Sequence, residues 1–149
     1  PAELVFDQGL GDLFVIRVAG NIVAPSQVGS VEFAVDSFAC PLVVVLGHTH
    51  CGAIDSTIEA LRNPDQAPSV NLMSIVNRVR PSVEILMQTE LKDDLKKLSC
   101  HAVRSNVFAS VNQLRHGSAV LESFISKGQL KVVGAEYSLE TGEVTFFDF

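Results

Sequence analysis

The stretch that most constrains this chain is Pro41-Leu42-Val43-Val44-Val45-Leu46-Gly47-His48-Thr49-His50-Cys51-Gly52. A short Val-rich run bounded by Pro and Gly reads as a buried strand. The following residues, Ala53 to Arg62, read as a helix. His48 and Cys51 therefore fall at the carboxyl end of a strand, on the turn into a helix. Open α/β sheets place their sites there. An imidazole and a thiol three residues apart can both reach one metal ion, and both ligand types suit zinc. Gly47 and Gly52 leave room for close backbone approach. The pair is half a site, since zinc takes about four ligands. The plain alternative is a buried thiol beside a hydrogen-bonded histidine.

The 149 residues fit one domain, 1–149. Hydrophobic residues make up 47% and the mean hydropathy is +0.30, yet no apolar run approaches the roughly 18 residues of a membrane span. The excess is expected inside a two-sided parallel sheet and in a subunit interface. A net charge of −6, with no basic stripe, argues against nucleic acid. Three cysteines, an odd number, argue against a secreted disulfide framework and suit a reducing cytoplasm.

Along the chain, Pro1 to Phe6 suits a short helical turn and Asp7 to Asp12 a loop. Leu13-Phe14-Val15-Ile16-Arg17-Val18-Ala19 reads as a first strand. A helix follows, with Ser26 as candidate N-cap and an apolar face of Val28, Val31, Phe33, Ala34, Val35 and Phe38. Leu42 to Leu46 is then a second strand, joined to the first by a right-handed crossover. A loop over 63–69 leads into helical stretches at about 72–87, 91–115 and 119–126. Leu130 to Tyr137 and Glu143 to Phe147 read as third and fourth strands around a Thr141-Gly142 turn. The expected class is α/β: a mostly parallel central sheet flanked by helices, with a C-terminal edge strand pair.

The other candidate ligands fare less well. Seven extended residues separate Cys40 from His48, over about 20 Å, so Cys40 cannot join the same ion within one subunit and reads as a core or interface thiol. Cys100 and His101 are adjacent on a helix and diverge. His116 beside Gly117 suits a helix end. His50 points away from His48 and Cys51 around a sharp turn. Arg17, in a buried-looking strand, needs a partner: an acidic residue or a bound anion. Arg17 and Tyr137, polar-ended side chains in apolar settings, are expected to be neighbours. Gly9-Leu10-Gly11 precedes a strand and is no phosphate loop.

Phe6 to Asn21, Gly47-His48-Thr49-His50-Cys51-Gly52, and the pair Gly134-Ala135-Glu136-Tyr137 and Thr141-Gly142-Glu143-Val144 together resemble the bacterial β-class carbonic anhydrases. The resemblance runs nearly end to end. It implies zinc-dependent hydration of carbon dioxide to bicarbonate and a proton. In that family zinc is held by two Cys and one His, with water or an Asp in the fourth position. His48 and Cys51 match two of these ligands, one zinc being expected per subunit. Gln8 corresponds to a glutamine that hydrogen-bonds substrate. The backbone N–H of Gly52 corresponds to a group that helps bind the bicarbonate oxygen. Arg17 and Tyr137 correspond to a non-catalytic bicarbonate site, and a homodimer or dimer of dimers is implied. The family's first ligand motif, Cys-x-Asp-x-Arg, belongs just upstream of Pro1, so the expectation is a domain lacking its N-terminal segment. A metal-free scaffold or bicarbonate-sensing relative, and a generic metal-binding domain, are the alternatives.

Overall fold

The computed structural model describes residues 1–66 and 68–147. Its elements in chain order are α1 (Ala2–Val5), α2 (Pro25–Phe38), β1 (Leu42–His48), α3 (Gly52–Arg62), α4 (Val70–Met87), α5 (Leu95–His116), α6 (Ala119–Ser126), β2 (Lys131–Tyr137) and β3 (Val144–Phe146). Short 3-10 turns lie at Ala19–Asn21 and Glu90–Asp93. Ala67, within the expected 63–69 loop, falls outside the described residues.

The sheet runs β1-β2-β3. β1 and β2 are parallel, in a register that carries Leu42 opposite Lys131 through to His48 opposite Tyr137. β3 returns antiparallel to β2, with Val144 opposite Tyr137. The α/β class and the C-terminal edge pair match the expectation.

The expected first strand does not. Leu13 to Val18 lies outside every strand of the sheet, and Phe14, Val15 and Ile16 are exposed. The crossover from that segment to β1 is therefore not formed within the described residues. An extended segment becomes a strand only with a ladder partner, and apolar patterning does not supply one. The chain after it is fixed by a helix instead. Asn106, Ser110 and Gln113 on α5, spaced along one helical face, donate to the carbonyls of Gly20 (2.6 Å), Asn21 (2.8 Å) and Val23 (2.9 Å). Gly20 is required there: its φ is +67°, and a Cβ would stand 3.1 Å from the Ala53 methyl.

Helix starts follow their caps. α2 begins on Pro25 at N1, behind Ala24, rather than after Ser26. Ser26 instead donates its hydroxyl to Gln27. α5 begins at 95 rather than 91, because the Asp94 carboxylate accepts the Lys97 N–H at 3.1 Å. Ser118 caps α6 and also donates to Glu32 at 2.6 Å.

Helix α5 is the spine of two apolar clusters. Val107, Val111 and Leu114 pack with Val31 and Val35 of α2, Val45 of β1, Leu121 of α6 and Val132 of β2. Leu98, Ala102 and Val103 pack with Ile54 and Ile58 of α3, Val79 and Val83 of α4, and Cys51. Gly47 brings β1 close to α5: a Cβ there would meet Val107 Cγ2 at 2.7 Å and Val103 Cγ1 at 3.1 Å. Beside it in register, the buried Glu136 accepts Arg104 Nε and Nη2 on one oxygen, at 3.2 and 3.1 Å. Its other oxygen is buried and has no donor among the described residues.

Candidate metal site

β1 delivers His48 to the sheet's carboxyl edge, two residues turn the chain, and Cys51 becomes the N-cap residue of α3. His50 makes the corner at φ +54°, a left-handed conformation that a non-glycine residue adopts at a cost of about 1 kcal/mol or more.

His48 is exposed, and its Nδ1 lies 2.8 Å from the Thr49 carbonyl oxygen. A carbonyl only accepts, so Nδ1 carries the proton and Nε2 presents its lone pair. Metal-ligating histidines are held in this way, donating the other ring N–H to a carbonyl or carboxylate. Cys51 is buried against the α3–α4–α5 cluster. A free imidazole nitrogen and a thiol on one turn form a donor set that suits zinc. Among the described residues no group of three His, Cys, Asp or Glu side chains could hold a metal ion. These residues thus offer part of a tetrahedral set.

The turn is tied to the β2–β3 connection. Thr49 N–H donates to the Tyr137 carbonyl at 3.0 Å, extending the β1–β2 pairing one residue past His48. The Thr49 hydroxyl donates to Glu140 Oε2 at 2.8 Å and accepts the Leu139 N–H at 3.0 Å. His50 Nε2 stands 2.5 Å from Glu140 Oε1. The Ser138 hydroxyl adds a third partner to the carboxylate, at 3.1 Å. These contacts, the Thr49 hydroxyl first, hold the Glu140 carboxyl well below the usual range, at about 2. The sequence reading missed Glu140, which stands 91 residues from Thr49. The one local signal was a carboxylate inside the Thr141-Gly142 turn.

The remaining candidates scatter. Tyr137 stands beside His48 in the β1–β2 register and is half-buried. Arg17 is exposed, off the sheet, and makes no hydrogen bond or ion pair among the described residues, so the buried-strand setting expected for it is not observed. Gln8 is exposed and donates its amide to the carbonyls of Phe6 and Asp7 in its own loop, at 2.9 and 3.1 Å. Gly52 is exposed at the first position of α3, where backbone N–H groups lack helical acceptors. Cys40 follows α2, Cys100 is exposed on α5, and all three cysteines are free thiols. His116 ends α5 and approaches Glu122 at 3.6 Å.

Comparison with known proteins shows the family. The sequence profile of the carbonic anhydrase family matches residues 1–144. Carbonic anhydrase 2 of Mycobacterium tuberculosis is 37% identical over 147 residues, which cover 99% of this chain and 68% of that protein. The carbonic anhydrase of Mycolicibacterium smegmatis is 37% identical over 145 residues, 96% of this chain and 66% of that one. Among solved structures, the Coccomyxa β-carbonic anhydrase in complex with acetazolamide superposes with a TM-score of 0.81 at 26% identity, covering 99% of this chain and 66% of that one. A tetrameric β-carbonic anhydrase of Sordaria macrospora superposes at 0.84 with 20% identity, covering 100% and 75%, and shares the fold. The chain belongs to the carbonic anhydrase family, in its β class, and is a lyase of that kind. It spans about two thirds of the length of these relatives.

Proposed function

We propose that the protein catalyses the reversible hydration of carbon dioxide to bicarbonate and a proton, using a zinc ion held in part by His48 and Cys51. The observation that carries the ligand assignment is the 2.8 Å contact between His48 Nδ1 and the Thr49 carbonyl oxygen. With Nδ1 donating to the Thr49 carbonyl, the Nε2 lone pair is left free for a metal, three residues from a thiol. When bound, zinc supplies Lewis acidity that lowers the pKa of a bound water towards ~7. Among the described residues these two side chains offer part of a tetrahedral set.

The chain's own residues then divide the work. His48 and Cys51 hold the ion. The Gly52 N–H, at the positive end of α3, favours an anionic bicarbonate oxygen. Gln8 orients substrate once its amide leaves the local carbonyls that now hold it. A non-catalytic bicarbonate site at Arg17 and Tyr137 rests on the family resemblance; Arg17 is exposed, with no carboxylate partner among the described residues, and is open to an anion.

A homodimer or dimer of dimers accounts for the exposed apolar surface. Phe14, Phe33 and Phe38 form a ring cluster with centroids 5.5–6.3 Å apart, and each ring is about half exposed. Three free thiols suit a cytoplasmic location. No helix among the described residues is long and apolar enough to cross a membrane.

Stopped-flow hydration of carbon dioxide by the full-length protein tests this reading. Activity that disappears with His48→Ala is the expected result. A full-length protein that neither binds zinc nor hydrates carbon dioxide supports the metal-free scaffold instead. For the bicarbonate site, Arg17→Ala is expected to relieve inhibition by bicarbonate, and unchanged inhibition removes Arg17 from it.

A further inference from the structure

Two residues lie between the candidate ligands, and both are held by one side chain from a distant turn. All three polar groups of Thr49 are engaged in different directions. Its N–H donates to Tyr137 on β2. Its hydroxyl links Glu140 and the Leu139 N–H. Its carbonyl accepts the His48 ring N–H and so sets the direction of the ring. His50, in its left-handed corner, is held by the other Glu140 oxygen.

The grip is itself anchored. The β2–β3 turn is closed by the Ser138 N–H to Glu143, the Gly142 N–H to Ser138 and the Thr141 N–H to the Ser138 hydroxyl, at 2.9, 2.8 and 3.1 Å. That same hydroxyl donates to Glu140. A fixed turn thus presents a fixed carboxylate to the Thr49 hydroxyl and to the His50 corner, beyond the last β1–β2 hydrogen bond.

We propose that Glu140 is a positioning residue of the zinc site. Through Thr49 it fixes the ring of His48, and through His50 it fixes the corner that brings Cys51 to the head of α3. This rests on the zinc reading given above. Glu140 touches neither donor. It sets the separation and orientation at which the two donors meet an ion, as outer partners of metal ligands do.

The test uses the full-length, zinc-loaded protein and two readouts: the zinc dissociation constant by chelator competition, and the visible d–d spectrum after cobalt replaces zinc. Glu140→Ala is expected to weaken zinc binding about 10–100-fold and to alter the cobalt spectrum. Thr49→Val, which removes only the hydroxyl link, is expected to move both in the same direction. Glu140→Gln keeps an oxygen for the Thr49 hydroxyl and is expected to recover most of the affinity. Because Glu140 is surface-exposed, the metal-free protein is expected to melt at nearly the wild-type temperature in all three variants. Unchanged zinc affinity and cobalt spectrum in Glu140→Ala and Thr49→Val overturn the proposal while leaving the zinc reading intact. A loss of affinity that tracks an equal loss of metal-free stability also overturns it, since the turn would then be a structural support only. Failure of the wild-type protein to bind zinc overturns both.

Discussion

Gly47→Ala is the most telling single-methyl change in this protein. Gly47 lies in β1, one residue before His48, and its backbone needs no left-handed conformation. The reason for glycine is the approach of α5. An added Cβ would sit 2.7 Å from Val107 Cγ2 and 3.1 Å from Val103 Cγ1. Both valines are buried, and as β-branched side chains on a helix they have one strongly preferred rotamer. Relief therefore requires β1 and α5 to separate. Overpacking of this kind costs about 1–3 kcal/mol, while alanine recovers about 0.5–1 kcal/mol of glycine's entropic cost. The net expectation is a loss of about 1–2 kcal/mol by urea denaturation, or about 3–6 °C in melting temperature. Adding Val107→Ala should make room for the methyl. The double variant is then less destabilised than the sum of the single ones, by about 1 kcal/mol. Gly47→Ala at or above wild-type stability, or strict additivity with Val107→Ala, would refute the reasoning.

Three other outcomes follow from the same structure. The Glu140 carboxyl is held at about 2 against 4.5 when free; because the group is exposed, solvent screening leaves it only a small share of stability, present above about pH 4.5 and lost as the pH falls through about 2. A carboxyl NMR titration should show that low midpoint, and Thr49→Val should raise it. Ser118→Ala removes the α6 cap and the partner of Glu32, and should cost about 1–2 kcal/mol in denaturant unfolding. Arg104→Ala leaves the buried Glu136 carboxylate without its donor and should cost about 1–3 kcal/mol, with part restored by adding Glu136→Met.

Much of this was legible in the sequence because it depends on near neighbours. The apolar run 42–46 bounded by Pro41 and Gly47 gave β1, and the following helical pattern gave α3, which places His48 and Cys51 at the strand-to-helix turn. The Thr141-Gly142 turn fell between β2 and β3, with Gly142 at φ +75°. What was not legible depends on partners far along the chain. Leu13 to Val18 has the composition of a strand, but composition cannot state whether a ladder partner stands beside it. Arg17 read as buried only because that segment read as a strand. The α5 side chains of Asn106, Ser110 and Gln113 are ordinary helix-surface residues until the 20–23 backbone is laid along them. The Thr49–His50–Glu140 contacts cross some 90 residues and follow no local periodicity. Helix starts slipped by a few residues where a cap outranked the apolar pattern, as Asp94 does for α5.

Zinc-edge X-ray absorption of the full-length protein tests the central claim, that His48 and Cys51 hold the metal. The expected spectrum contains nitrogen at about 2.0–2.1 Å and sulfur at about 2.3 Å, with one zinc per chain. In Cys51→Ser, zinc is lost, or any that remains shows one sulfur fewer. Full zinc occupancy with an unchanged sulfur shell in Cys51→Ser would contradict the assignment and show that the metal is bound elsewhere.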